Sequence, residues 1–223
     1  FKYDSVFKKH NIHVFSSNFP LYGDMSSRVM SILSSYTPNI EIYSIDEAFL
    51  EFRGFDNYDL EEYGKEMQNK ILKWTGIPVS IGFAPTKALA KVANRISKKF
   101  DKKTKGVYAI ESKEKREKAL KWLKIEDVWG IGFKHSERLK SYNINRAYDF
   151  IKLPDKWVRN QMSVVGLRLK KELEGQSVLS LEEHRSPKKA IATTRSFEKN
   201  LTKFEDLKER ISTFSILCSE KLR

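Results

Sequence analysis

The chain has 223 residues, enough for one large domain or two small ones. At 40% hydrophobic and 12% aromatic residues it is not a disordered segment, and its single cysteine, Cys218, excludes an internal disulfide framework and fits a reducing compartment. With 42 Lys+Arg against 29 Asp+Glu the formal net charge is +13, which points to an anionic partner and first to nucleic acid. No apolar run approaches the roughly 18 residues of a membrane span, and no signal peptide opens the sequence, so no membrane association is expected. The chain runs from Phe1 to Arg223, the latter inside a helical pattern, and is expected to be an excerpt of a longer protein.

In chain order, residues 20–36 predict a helix, with Met25, Val29, Ile32 and Tyr36 at helical spacing and Pro20 in the first turn. Residues 40–52, rich in β-branched and aromatic side chains with two acids in the middle, predict two strands joined by a tight turn. Leu60, Tyr63, Met67, Ile71 and Trp74 mark a helix ending at Gly76 and Pro78. A strand over 78–84, a basic helix over 86–100 and a short strand over 106–110 follow. This alternation predicts an α/β layer, one sheet backed by helices. Residues 112–175 are helical around Trp129-Gly130-Ile131-Gly132, and 177–190 reads as a linker. Residues 191–197 are expected to open a new sheet. The stripe Phe204, Leu207, Ile211, Phe214 and Cys218 marks a last helix, with a third domain cut short.

The charge is uneven. Between Lys87 and Lys121 there are 13 Lys/Arg and 4 Asp/Glu. At roughly 100° per residue, Lys87, Lys91, Arg95 and Lys98 share an arc of about 80°, and Leu89, Ala93, Ile96 and Phe100 lie on the far side. One helix thus carries an apolar face for the core and a cationic stripe expected to face outward. As residues alone, the stripe fits either a solubilising surface or a phosphate-facing rail with salt-dependent binding.

Asp46 and Glu47 are the first chemical candidates. Adjacent acids in a regular strand point to opposite faces, whereas at a turn both reach one place. Hard oxygen donors beside a basic surface suit a Mg²⁺ ion that also binds phosphate; a solvated turn is the other reading. The second candidate is Gly130-Ile131-Gly132. Glycines two apart let the backbone turn sharply and approach a phosphate. A dinucleotide fingerprint fails because His135 stands where its third glycine belongs. Helix, Gly-x-Gly, helix is either the helix-hairpin-helix pattern that grips a DNA backbone or a plain helical turn. Neither a Gly-x-Ser-x-Gly nor a Walker A pattern is present, and Gly82–Lys87 lacks the latter's second glycine. His10 and His13 have no cysteine pair to make a zinc site, and His135 and His184 are expected to be surface residues.

Taken in order, YSIDEAFLEF (43–52), SIGFAPTKALAKVANRISKK (80–99) and VWGIGFKHSERL (128–139) closely resemble the Y-family translesion DNA polymerases, best the bacterial UmuC-type branch. FSSNFPLYGDMSSRVMSIL (15–33) is also similar to that branch, and the resemblance covers essentially the whole chain. It implies an α+β fold: a partial palm over 1–110, with mixed or antiparallel strands backed by helices, and an all-helical thumb with a helix-hairpin-helix over 111–175. A linker over 176–190 and the start of an α/β little-finger domain over 191–223 would follow. It implies that Asp46 and Glu47 are catalytic metal ligands, that Lys98 contacts the incoming triphosphate, and that Lys87, Lys91 and Arg95, with Gly130, Gly132 and Lys134 of the thumb, face DNA. The reaction implied is error-prone, two-Mg²⁺ nucleotidyl transfer on damaged template, in a cytoplasmic bacterial DNA-repair (SOS) setting. Primer–template DNA and dNTP would be its substrates, and a UmuD-type subunit, the sliding clamp and the recombinase filament its partners.

The family's first metal-binding aspartate lies on a strand that would precede Phe1, so these 223 residues alone are expected to be inactive. Asn143, where the family often has glycine, is expected to adopt the left-handed conformation. The rival expectation is a non-catalytic module that binds damaged DNA. Asp46 and Glu47 separate the two, because acids beside phosphates repel unless a cation intervenes.

Overall fold

The computed structural model describes residues 3–55, 57–182, 189–197 and 200–223. Two contact units divide the chain, Phe1–Glu183 and His184–Arg223.

The first unit begins with α1 (Asp4–Lys9) and α2 (Phe19–Ser34). The Asn18 side chain caps α2 by accepting the Leu21 N–H at 3.2 Å. Next, β1 (Ile40–Ile42) and β2 (Ala48–Leu50) pair antiparallel, Ile40 opposite Leu50 and Ile42 opposite Ala48. The Asp59 side chain then starts α3 (Leu60–Thr75) by accepting two backbone N–H groups, and Gly76, at φ 73°, ends it. β3 (Ile81–Phe83), α4 (Lys87–Lys99), α5 (Asp101–Thr104) and β4 (Val107–Ala109) form a β-α-β unit in which β3 and β4 run parallel. The Thr86 hydroxyl caps α4 by accepting the Leu89 N–H.

The expected single sheet is corrected: among the described residues there are two separate two-stranded ladders. Each strand is three residues long, so each ladder spans only about 10 Å and depends on flanking helices for burial. Val29, Ile32 and Tyr36 pack with Met67 and Ile71 between α2 and α3. Gly82 brings β3 hard against α4, and a Cβ there would lie 2.1 Å from the Asn94 backbone nitrogen.

The helical region comprises α6 (Lys113–Trp122), a 3-10 turn (Ile125–Asp127), α7 (Phe133–Ser141), α8 (Ala147–Ile151) and α9 (Asp155–Leu173). Asn143 follows α7 at φ 61°, as expected. Ser163, at φ 61° and ψ −169°, breaks α9 into two segments. Packing does not mark the boundary expected at 110/111. Leu89, Val92, Ala93 and Ile96 of α4 share one continuous core with Leu120, Leu123, Phe150, Val158 and Leu173. The apolar face of the basic helix is therefore the joint between strands and helical region.

In the second unit, α10 (Phe204–Leu222) carries the expected stripe but buries no residue fully. Phe214 stacks on Phe197 at 6.2 Å, and the Cys218 thiol lies 3.2 Å from the Thr193 hydroxyl. Residues 191–197 form no strand, which corrects the expected sheet opening. The linker portion 183–188, His184 included, lies outside the described residues. No described helix is long and apolar enough to cross a membrane.

Candidate active site and DNA interface

The β1–β2 hairpin places the acidic pair. Tyr43 and Ser44 each donate a backbone N–H to the Glu47 carbonyl at 3.0 Å, closing a turn over Ser44–Glu47. The Ser44 hydroxyl donates to Asp46 Oδ1 at 2.6 Å and accepts the Asp46 N–H at 3.3 Å. Asp46 stands exposed at the tip, while Glu47 is half-buried and accepts a hydrogen bond from Lys91 Nζ.

The cationic stripe of α4 faces outward at Arg95 and Lys98 but is closed over at Lys87 and Lys91, which corrects the expectation for those two. Lys87, with 11% of its side chain exposed, donates to Glu41 and, at 2.7 Å, to the Ser180 carbonyl. Lys91 is tied to Glu47, and Arg95 pairs with Asp127 at 2.6 Å. Lys98 is exposed and has no ion-pair partner among the described residues. Acids from the hairpin and the 3-10 turn thus neutralise three of the four positions, a pairing between distant segments that helical spacing does not contain.

Even so, the predicted residues converge. One open cleft of about 1390 Å³ is lined by Asp46, Glu47, Lys87, Lys91, Asn94 and Lys98. Arg95, Gly130, Gly132 and Lys134 are not part of its lining. In the glycine turn, Gly130 sits at φ 87° and Gly132 precedes α7 with open space where a Cβ would be. Gly132, Phe133 and Lys134 are exposed there, Phe133 by 80%. His135 is 2.9 Å from the Arg138 guanidinium.

The donor set of the turn fits Mg²⁺. Such an ion takes one or two carboxylates and completes its shell with water and substrate phosphate oxygens. Asp46 and Glu47 supply two carboxylates, and no group of three or more His, Cys, Asp or Glu gathers among the described residues. The turn is therefore open, not a closed protein cage, and the Lys91 ammonium already places a positive charge against Glu47.

The impB/mucB/samB family model matches residues 4–95. The whole chain is 38% identical to Protein UmuC of Salmonella typhimurium, covering 53% of that relative. The chain belongs to the impB/mucB/samB family. Among solved structures, a DinB family error prone DNA polymerase from Sulfolobus solfataricus is similar with a TM-score of 0.63 at 25% identity, over 79% of this chain and 54% of that one. An insertion ternary complex of Dbh DNA polymerase is similar with a TM-score of 0.64 at 25% identity, over 80% of this chain and 52% of that one. The chain spans about half the length of the curated relatives it matches.

Three acids and two aromatics matter to this family member's site beyond those named from its motifs. Glu41, buried in β1, holds Lys87 and accepts the Glu182 N–H at 2.7 Å. Glu172, fully buried in α9, accepts the N–H groups of Ala88, Val178 and Leu179. These two glutamates pin residues 178–182, so the first part of the expected linker is held in place. Asp127 holds Arg95, and Tyr43 meets Trp129. The one sequence signal for any of these was a carboxylate, Glu41, set between two isoleucines in a strand.

Proposed function

We propose that the protein containing this chain is a template-directed DNA polymerase that copies past damaged bases. The observation carrying the proposal is the cleft that gathers Asp46 and Glu47 with Lys87, Lys91 and Lys98. Carboxylates among lysines form a site for a cation bridged to an anionic substrate, and a DNA-binding surface gains nothing from acids at that place. The family membership and the likeness to polymerase structures support the same reading.

In this reading Asp46 and Glu47 hold Mg²⁺, two ions in the complete enzyme. When bound, the metal neutralises the triphosphate and activates the primer 3′-OH. Glu47 would offer the cation the carboxylate oxygen that Lys91 does not hold. Lys91 would stay on the other oxygen, next to Lys98, which would contact the incoming nucleotide's triphosphate. Gly130, Gly132 and Lys134 approach the duplex backbone. The layout is palm to 110, helical thumb to 175 and the start of a little finger from 191. A UmuD-type subunit, the sliding clamp, the recombinase filament and the cytoplasmic repair setting belong to the same proposal.

The test is primer extension past an abasic site by the protein carried to its natural ends, with Mg²⁺ and dNTPs, beside Asp46→Ala and Glu47→Ala. Extension by the wild type, lost in both variants, is expected. Salt-sensitive DNA binding with no extension by the wild type would leave a non-catalytic binding module instead.

A further inference from the structure

The acidic turn and the glycine turn touch through two aromatic residues. The Trp129 indole N–H donates to the Tyr43 hydroxyl at 3.1 Å, and the rings meet edge-on with centroids 5.7 Å apart. Phe49 of β2 packs against both, 5.6 Å from Tyr43 and 5.8 Å from Trp129. On the other side, Lys91 Nζ lies 5.7 Å from the Tyr43 ring centroid and donates to Glu47. Tyr43 also closes the acidic turn through its backbone bond to the Glu47 carbonyl. Gly130 is the residue after Trp129.

Burial does not account for this pairing, since Tyr43 is 46% exposed. What the contact provides is orientation. An edge-on aromatic pair joined by its own polar atoms has one preferred geometry, and each ring carries only two side-chain torsions. The Tyr43 ring is in turn a wall for the Lys91 ammonium, which selects the direction of the Glu47 carboxylate.

We infer that Trp129 is a positioning residue for the acidic turn, fixing Tyr43 and, through Tyr43 and Lys91, the Glu47 carboxylate. Its effect on catalysis rests on the polymerase reading above. The glycine turn and the carboxylate turn then move as one piece, so DNA seated on the first finds the second already placed. Misplacement of a catalytic group by about 1 Å costs on the order of 100-fold in rate, so a modest loosening is measurable.

Two measurements decide it. The chain has four tryptophans and so four indole N–H signals in a ¹⁵N-labelled sample, with Trp129 identified by Trp129→Phe. Tyr43→Phe is expected to shift the Trp129 signal and leave the other three in place. Glu47→Gln is expected to shift it less, through Lys91. A Trp129 signal unmoved by either variant overturns the inference. In primer extension by the protein carried to its natural ends, Trp129→Phe keeps a ring and loses the donor. It is expected to lower kcat about ten-fold with the KM for DNA within about two-fold, and the Tyr43→Phe double variant is expected to be no slower. A raised KM at unchanged kcat makes Trp129 a DNA contact and overturns the inference. Coupled indole shifts in a protein that extends no primer support the positioning link and sink the polymerase reading alone.

Discussion

Glu172 and Ala88 stand 84 residues apart, and the carboxylate of the first accepts the backbone N–H of the second at 3.2 Å. The same side chain accepts the Val178 and Leu179 N–H groups at 2.8 and 3.0 Å, and the Thr86 hydroxyl donates to the Glu172 carbonyl at 2.8 Å. One buried acid therefore joins the start of α4, the end of α9 and the segment after it. Glu172→Ala leaves the buried Ala88 N–H and the less buried Val178 and Leu179 N–H groups without this acceptor and is expected to cost about 2 kcal/mol in urea unfolding at neutral pH. Glu172→Gln retains one acceptor oxygen and should cost less.

Gly82 tests the other side of α4. A Cβ would meet the Asn94 nitrogen at 2.1 Å and the Ala90 carbonyl oxygen at 2.6 Å, both backbone atoms that cannot rotate aside. Gly82→Ala is expected to destabilise by ~3 kcal/mol or more, seen as a lower urea midpoint. Gly132→Ala, with open space around it, should leave that midpoint nearly unchanged.

Stability should fall at alkaline pH. Burial, with Glu66 beside it, pushes the Tyr36 hydroxyl up to about 12 from its ordinary 10.0. A raised folded-state value favours the folded chain while tyrosine keeps its proton there and loses it when unfolded. That stability is complete below pH 10 and disappears as pH rises through about 12. Tyr36→Phe should flatten this limb in unfolding curves between pH 9 and 12. At the acid end, Lys170 and Lys171 hold Asp155 below its usual carboxylate range. Its contribution is present above the unfolded carboxylate value and is lost as pH falls through the lowered one, so Asp155→Asn should blunt acid unfolding.

The lysines should divide by partner. Lys134 is exposed, and Lys134→Ala is expected to weaken duplex binding and to reduce the salt slope by about 1, whereas Lys98→Ala is expected to raise the KM for dNTP and leave duplex binding unchanged. Lys87 is already held by Glu41 and the Ser180 carbonyl, so Lys87→Ala should lower stability and leave the slope unchanged. Fluorescence anisotropy across a salt series separates the two outcomes.

Local chemistry was legible in the sequence. The helix stop at Gly76, the left-handed Asn143 and the acidic hairpin all follow from residue types at short range. What spacing concealed was long-range pairing. A helical wheel places Lys87, Lys91 and Arg95 together, but it cannot show that Glu41, Glu47 and Asp127 fold back onto them. The two short ladders were likewise hidden, because β-branched runs announce strands and not which strands pair. The same limit hid Tyr43 from Trp129, whose separation of 86 residues leaves no periodic trace.

That separation also sets a birth order. The β1–β2 hairpin closes within eleven residues, before the helical region is made. Its tip is braced only after Trp129 has left the ribosome, and the start of α4 only after Glu172 has done so. A ribosome paused near codon 120 thus carries an acidic tip that is made but unbraced.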